Sequence, residues 1–266
     1  MNQMLSICKS FAAEYNITFN AKKTMCIKFG SPVTDYDKVY LDGNLIKWVE
    51  RIKHLGNTVN VKLNDVNDCD SKRCLFNASV NKLLGNYGGV QTNILCKLFR
   101  SYCCSFYGSQ LWDLNSNGFR SCCIQWNKAV RKLFRLPYRT HTWLLGPLID
   151  QPHISIQLTV KTLRFIDCML HSSNNIVSHI GNIAKCCANS PVGRNIAYMK
   201  YKYDINFDDK LSANVARVRN AQNCTLYQQA LVYNMKNLIN VKNCVYTLEC
   251  FDADMVDSML YNIACE

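Results

Sequence analysis

The stretch "WNKAVRKLFRLPYRTHTWLLGPL", residues 126–148, decides how the chain folds. Trp126, Val130, Leu133 and Phe134, with Cys123 one turn earlier, recur at helical spacing, and Pro137 closes the run. Opposite that apolar face, Lys128, Lys132, Arg135 and Arg139 fall at i, i+4, i+7 and i+11, with Arg131 adjacent. The spacing predicts an amphipathic helix that buries one face and carries a cationic stripe along, and just past, the other. Upstream, Phe76, Val80, Leu83 and Tyr87 mark a second helix. Ile94, Leu98, Tyr102 and Phe106 mark a third, ending near Trp112. Three successive basic helices predict a small bundle.

Basic stripes are usually solvated helix faces, so the surrounding charge decides the matter. The 266 residues carry 31 Lys+Arg against 19 Asp+Glu, a net charge of +12, and 48% are hydrophobic, ample for a core. Residues 1–145 hold 20 basic and 9 acidic side chains, whereas 146–266 hold 11 and 10. Within the first half, residues 72–139 contain 11 basic side chains and one acid, Asp113. A segment so poor in carboxylates reads as a surface for a polyanion, nucleic acid in the first instance. Phe106, Tyr107 and Trp112 in "FYGSQLWDL" could stack bases, but aromatic residues at helical spacing belong more often to a core, and they are assigned to the bundle interior.

Before this basic region the pattern is mixed. Met4, Cys8, Phe11 and Tyr15, with Leu5 and Ala12 beside them, predict an amphipathic helix ending near Asn16. Met25, Ile27 and Phe29 alternate with polar neighbours, predicting a strand with one buried face, and "KVYLDGNLIKWV" reads as a hairpin about Asp42-Gly43. After Gly146-Pro147 the pattern is helical in Leu163, Ile166 and Leu170, in Leu226, Ala230 and Tyr233, and in Val256, Leu260 and Ile263. "ANSPVGRN" (188–195) and "YDINFDDK" read as loops. The fold expected is α+β, predominantly α, in three parts: a helix, strand and hairpin over 1–62, a basic helical bundle over 63–145, and a helical region over 146–266.

Sixteen cysteines without a CxxC spacing, in a chain with no basic and apolar leader, fit reduced thiols used as small apolar fillers and an intracellular protein. No apolar run is long enough for a membrane span. Cys168, His171, His179 and Cys186 do not have the spacing of a standard zinc site and are read as packing residues. Asp208-Asp209 lies in a polar loop instead of between two apolar strands, so no metal site is assigned to it. The NTPase, serine-hydrolase and zinc-protease signatures GxxxxGK[ST], GxSxG and HExxH are absent.

Taken in order, "LSICKSFAAEYNITFNAKKTMCIKFG", "DGNLIKWVERIKHLGNTVN", "ILCKLFRSYCCSFYGSQLW", "WNKAVRKLFRLPYRTHTWLLGPL" and "LRFIDCMLHSSN" resemble the region downstream of the catalytic aspartates in reverse transcriptases of non-LTR (LINE-type) retrotransposons. The resemblance covers roughly residues 1–170. It implies the rear of a palm over 1–62, a thumb over 63–145 and a C-terminal extension. It implies Lys23, in the Asn-x-x-Lys-Thr turn, near a nucleotide's phosphates, His54, Leu55 and Gly56 as a primer-grip turn, and RNA or DNA template and primer as the partner.

The aromatic-x-Asp-Asp turn that holds Mg²⁺ in the family does not occur in this sequence, so the expectation is a truncated polymerase, with no catalytic or metal-binding residue of its own and silent alone. Mg²⁺ is expected only for a full-length relative. The nucleic-acid-binding residues expected are Lys128, Arg131, Lys132, Arg135 and Arg139. The alternative is a helical nucleic-acid-binding adaptor unrelated to polymerases.

Overall fold

The computed structural model describes residues 2–30, 38–221 and 226–248. The fold is α+β and predominantly α, with the strands among the described residues confined to two small sheets. The chain divides into two compact units, one up to Asp68 and one from Cys69 onward.

In the first unit, α1 (Asn2–Glu14) packs against the strand β2 (Val39–Leu41). Antiparallel pairing joins β2 to β3 (Asn44–Trp48), with Val39 opposite Ile46. The short β1 (Met25–Cys26) runs parallel along the other side of β3, with Met25 opposite Lys47. Val39, Leu41 and Ile46 form the small core, to which Leu5, Ala21, Cys26 and Trp48 add their edges.

Two expectations fail here. The helix turns Leu5 and Ala12 inward, leaving Met4, Ile7, Phe11 and Tyr15 exposed, with the Phe11 and Tyr15 rings 4.4 Å apart. The strand expected through Phe29 stops at Cys26, and Met25 and Phe29 are exposed while Cys26 is the residue that packs inward. Both errors have one cause. Each segment carries apolar side chains on two faces, and periodicity alone cannot say which one three buried β-residues will cover.

A second hairpin joins β4 (Arg51–His54) to β5 (Asn57–Asn60), and Asn60 ties it to the turn that follows. The buried Asn60 amide donates to Asn64 Oδ1 and Asn67 Oδ1, both at 2.8 Å, and its carbonyl accepts from the backbone of Lys62 and Asn64. Asp68 Oδ1 accepts from the Thr58 N–H at 2.8 Å.

Both hairpins turn through two residues of positive φ, Asp42-Gly43 (52° and 76°) and Leu55-Gly56 (46° and 81°). This is the geometry of a type I′ turn, whose hand matches the twist of the strands. Aspartate tolerates the left-handed region through its short polar side chain, whereas leucine has no such compensation. Leu55 is also 76% exposed, so its side chain recovers little by burial. Leu55→Asn is therefore expected to stabilise the chain by about 1 kcal/mol. Chemical denaturation of both variants checks this, and an unchanged or lower midpoint counts against the strain.

The second unit is helical: α2 (Val66–Tyr87), α3 (Thr92–Tyr102), α4 (Asn117–Leu133), α5 (Thr142–Leu148), α6 (Ile154–Leu170), α7 (Asn175–Cys186), α8 (Pro191–Tyr203), α9 (Leu211–Asn220) and α10 (Leu226–Leu248). One buried cluster runs through it from Cys69 to Ile239, including Phe76, Phe99, Trp126, Leu163, Met199 and Met235. The position 145/146, where the sequence changes in charge, falls inside α5, whose Leu144, Leu145 and Leu148 belong to that cluster.

The faces expected of α2, α4 and α6 are buried at Phe76, Val80, Leu83, Trp126, Val130, Leu163 and Ile166, with Tyr87 exposed at the end of α2. Those of α3 and α10 are not. In α3 the buried residues are Leu95, Cys96 and Phe99, while Ile94 and Tyr102 are exposed, and the helix ends ten residues short of Trp112. In α10 Val232, Met235 and Ile239 are buried, and Ala230 and Tyr233 are exposed. Val256, Leu260 and Ile263 lie outside the described residues.

Two polar side chains hold the irregular segments to the helices. Asn195 in α8 is buried. It accepts from the Leu114 N–H at 2.9 Å and donates to the Trp112 carbonyl at 2.8 Å. His153 caps α6, its Nδ1 accepting from the Ser155 N–H at 3.2 Å. Its Nε2 lies 2.7 Å from Asn127 Oδ1, and the ring stands edge-on to Trp126 at 5.0 Å.

Candidate nucleic-acid interface

The site is built on α4 and the turn that ends it. Ser116 starts the helix by accepting from the Phe119 N–H. Phe119, Cys122, Trp126, Ala129, Val130 and Leu133 then face the core. That burial turns Lys128 and Lys132 to solvent, and both are exposed.

The helix stops at a Schellman arrangement, with Leu136 N–H bonded to Arg131 O (2.9 Å) and Arg135 N–H to Lys132 O (3.3 Å). The residue placed in the left-handed conformation, where glycine is usual, is Arg135 (φ 53°), and its side chain is exposed.

Beyond it the chain makes a tight turn. Thr140 is buried, and both its N–H (3.1 Å) and its hydroxyl (2.7 Å) donate to the Pro137 carbonyl. Arg131 clamps the turn from below, donating from Nε (3.1 Å) and a terminal nitrogen (2.6 Å) to the Thr140 carbonyl. Partial burial lowers the pKa of its guanidinium from the ordinary value, a shift without effect on its charge near neutral pH.

Tyr138 and Arg139 form the tip of this turn. Tyr138 is 79% exposed, and Arg139 lies over its ring at 5.6 Å with Nε 3.1 Å from the hydroxyl.

Of the five cations expected here, Lys128, Lys132, Arg135 and Arg139 stand on the outward side of α4 and its turn, while Arg131 is half-buried and engaged with backbone. Lys132 donates to Asn81 Oδ1 (3.0 Å), Arg131 to the Thr140 carbonyl and Arg139 to the Tyr138 hydroxyl. Asp113, the single acid of residues 72–139, is engaged by Arg194 at 2.8 Å.

Tyr107 departs from its expected place. Phe106 and Trp112 are buried, but the chain reverses at Phe106 (φ 34°) and Gly108 (φ 81°), leaving Tyr107 exposed beneath Lys72 at 5.4 Å. Tyr138 is the residue that sequence reasoning missed. Its signal was present in a Pro-Tyr-Arg tripeptide just past the last apolar position of a helix, where a turn tip is expected.

The remaining candidates belong to the first unit. Lys23 is exposed in a turn closed by Asn20, whose carbonyl accepts from Lys23 N–H, Thr24 N–H and the Thr24 hydroxyl, while its side chain also accepts from Lys23 N–H at 3.2 Å. His54 pairs with Asn57 across the second hairpin, and Leu55 and Gly56 form its tip.

Cys168 and Cys186 are exposed instead of packed, and His171 sits 3.4 Å from Asp167. Asp209 is paired with Arg217 at 2.6 Å. Among the described residues, no three His, Cys, Asp or Glu side chains gather in a way that could hold a metal ion, and no helix is long and apolar enough to cross a membrane. Burial pushes the thiols of Cys96 and Cys103 up to about 11 and those of Cys104 and Cys123 up to about 12, which makes them unreactive fillers.

No family model, curated protein or solved structure matches the chain.

Proposed function

We propose that the chain grips RNA or DNA of the template and primer type through α4 and the turn after it, as the thumb portion of a reverse transcriptase of the non-LTR retrotransposon kind. One observation carries the reading. Four cations stand exposed on one helix and its terminal turn, in a segment whose single carboxylate is already engaged elsewhere. Such a surface attracts a phosphate backbone, because each contact releases condensed counterions. The ordered sequence motifs of the resemblance, among them the Asn20–Thr24 turn and the His54-Leu55-Gly56 turn ahead of the basic helices, support the same reading. The role assigned is binding; phosphoryl transfer is assigned to none of these residues.

Salt dependence tests this directly. Contact with about five phosphates is expected to give a slope of log affinity on log salt near −3.5 to −4.5 for single or double strands. Changing Lys128, Lys132, Arg135 and Arg139 together to Gln should flatten the slope to near −1. All four are exposed, so the variant should fold. Binding that ignores salt, or that survives the four changes intact, would overturn the reading.

A further inference from the structure

We propose that Tyr138 is a stacking platform for an unpaired base, so that the basic face selects single-stranded segments or frayed ends over intact duplex. The inference rests on the nucleic-acid reading above and adds the chemical form of the ligand.

Three observations meet at this residue. The first is exposure. A tyrosine at a turn tip, 79% exposed, contributes little burial to the fold, and the neighbouring apolar side chains Leu133, Phe134 and Leu136 are all buried. The ring has therefore not been left outside for want of a core position.

The second is rigidity. Leu136 N–H to Arg131 O fixes the start of the segment, the two bonds from Thr140 to Pro137 O close it, and the Arg131 fork holds its end. A ring presented on so constrained a backbone loses little further freedom when it meets a ligand.

The third is electrostatic placement. Arg139 lies over the ring, and Lys132 and Arg135, both exposed, precede Tyr138 in the chain by six and three residues. Cations that hold a phosphate backbone beside an aromatic face are the combination by which single strands are bound without sequence preference, since every base has a π-face. A base paired and stacked inside a duplex offers that face only at an end, and so discrimination by strandedness follows. Stacking does not see the 2′-hydroxyl, so the platform accepts RNA and DNA alike.

Fluorescence anisotropy with a short labelled oligonucleotide, and with a blunt duplex of the same length, tests this at fixed salt on the full chain. Tyr138→Ala is expected to weaken single-strand binding about 10-fold. Its duplex affinity and its salt slope should stay unchanged, and Tyr138→Trp should restore binding. If Tyr138→Ala binds the single strand as the parent does while the four-fold Gln variant weakens, the platform is overturned and the basic grip stands. Equal losses for single strand and duplex overturn it as well. A parent chain that binds neither ligand overturns both.

Discussion

Replacing Asn195 by leucine is expected to lower the melting temperature of the chain by on the order of 10 °C. The side chain acts as a clip between α8 and the segment 112–114, which is more than eighty residues away in sequence. Its two polar atoms take up one backbone N–H, from Leu114, and one backbone carbonyl, from Trp112. Both of those residues are buried, so water cannot substitute for the lost partners.

A buried donor or acceptor left unpaired costs about 1–3 kcal/mol, and two such groups bring the loss to about 4 kcal/mol. Leucine of similar volume fills the space but cannot satisfy either group. Thermal denaturation of the two proteins decides the matter, and a difference within about 2 °C would show that the clip contributes nothing.

Acidification is expected to remove about 3 kcal/mol of stability through His153 alone. Because Nδ1 accepts from the Ser155 amide, the neutral ring carries its proton on Nε2, which donates to Asn127 Oδ1. Burial, and secondarily the charge of Lys202, depress the pKa from 6.5 to about 4.

The unfolded chain therefore binds a proton that the folded chain refuses between those values, so stability rises with pH across the interval. The contribution is complete above about pH 6.5 and is lost as pH falls toward about 4. Carboxylates titrate in the lower part of the same range, so the quantity to measure is the difference between the parent and His153→Gln. Urea unfolding at neutral pH and near pH 4.5 supplies it. Parallel pH profiles for the two proteins would refute the assignment.

Where signals in the sequence were local, they carried through to the structure. Asp42-Gly43 specifies its hairpin because only certain residues tolerate two successive positive φ angles. The apolar face of α4 was legible because its other face is charged, which leaves one way to bury it. In α3 that contrast is missing. "ILCKLFRSYCC" has apolar side chains on nearly every side, and the choice of Leu95 and Phe99 over Ile94 and Tyr102 is made by the helices around it.

The start of α8 was misread for a different reason. "ANSPVGRN" reads as a loop, whereas Ser190 caps the helix and Pro191 occupies its first turn, where its missing N–H costs nothing. The "YDINFDDK" loop is irregular as expected, yet Ile205 and Phe207 anchor it in the core. For the interface, the identity of the cations was readable but the division of labour was not. The spacing puts Arg131 beside the stripe of the other four, but its inward role is visible only when the fold brings the Thr140 carbonyl within its reach.

That inward arginine bears on how the outer surface can be tuned. Lys128 and Lys132 are separated by helical pitch, but the offset from them to Arg139 is dictated by a guanidinium clasping a carbonyl on the far side of the turn. A substitution of this half-buried arginine would thus re-gauge the interval between outer charges without altering their number, shifting which strand geometry fits while leaving the attraction of the four exposed cations intact.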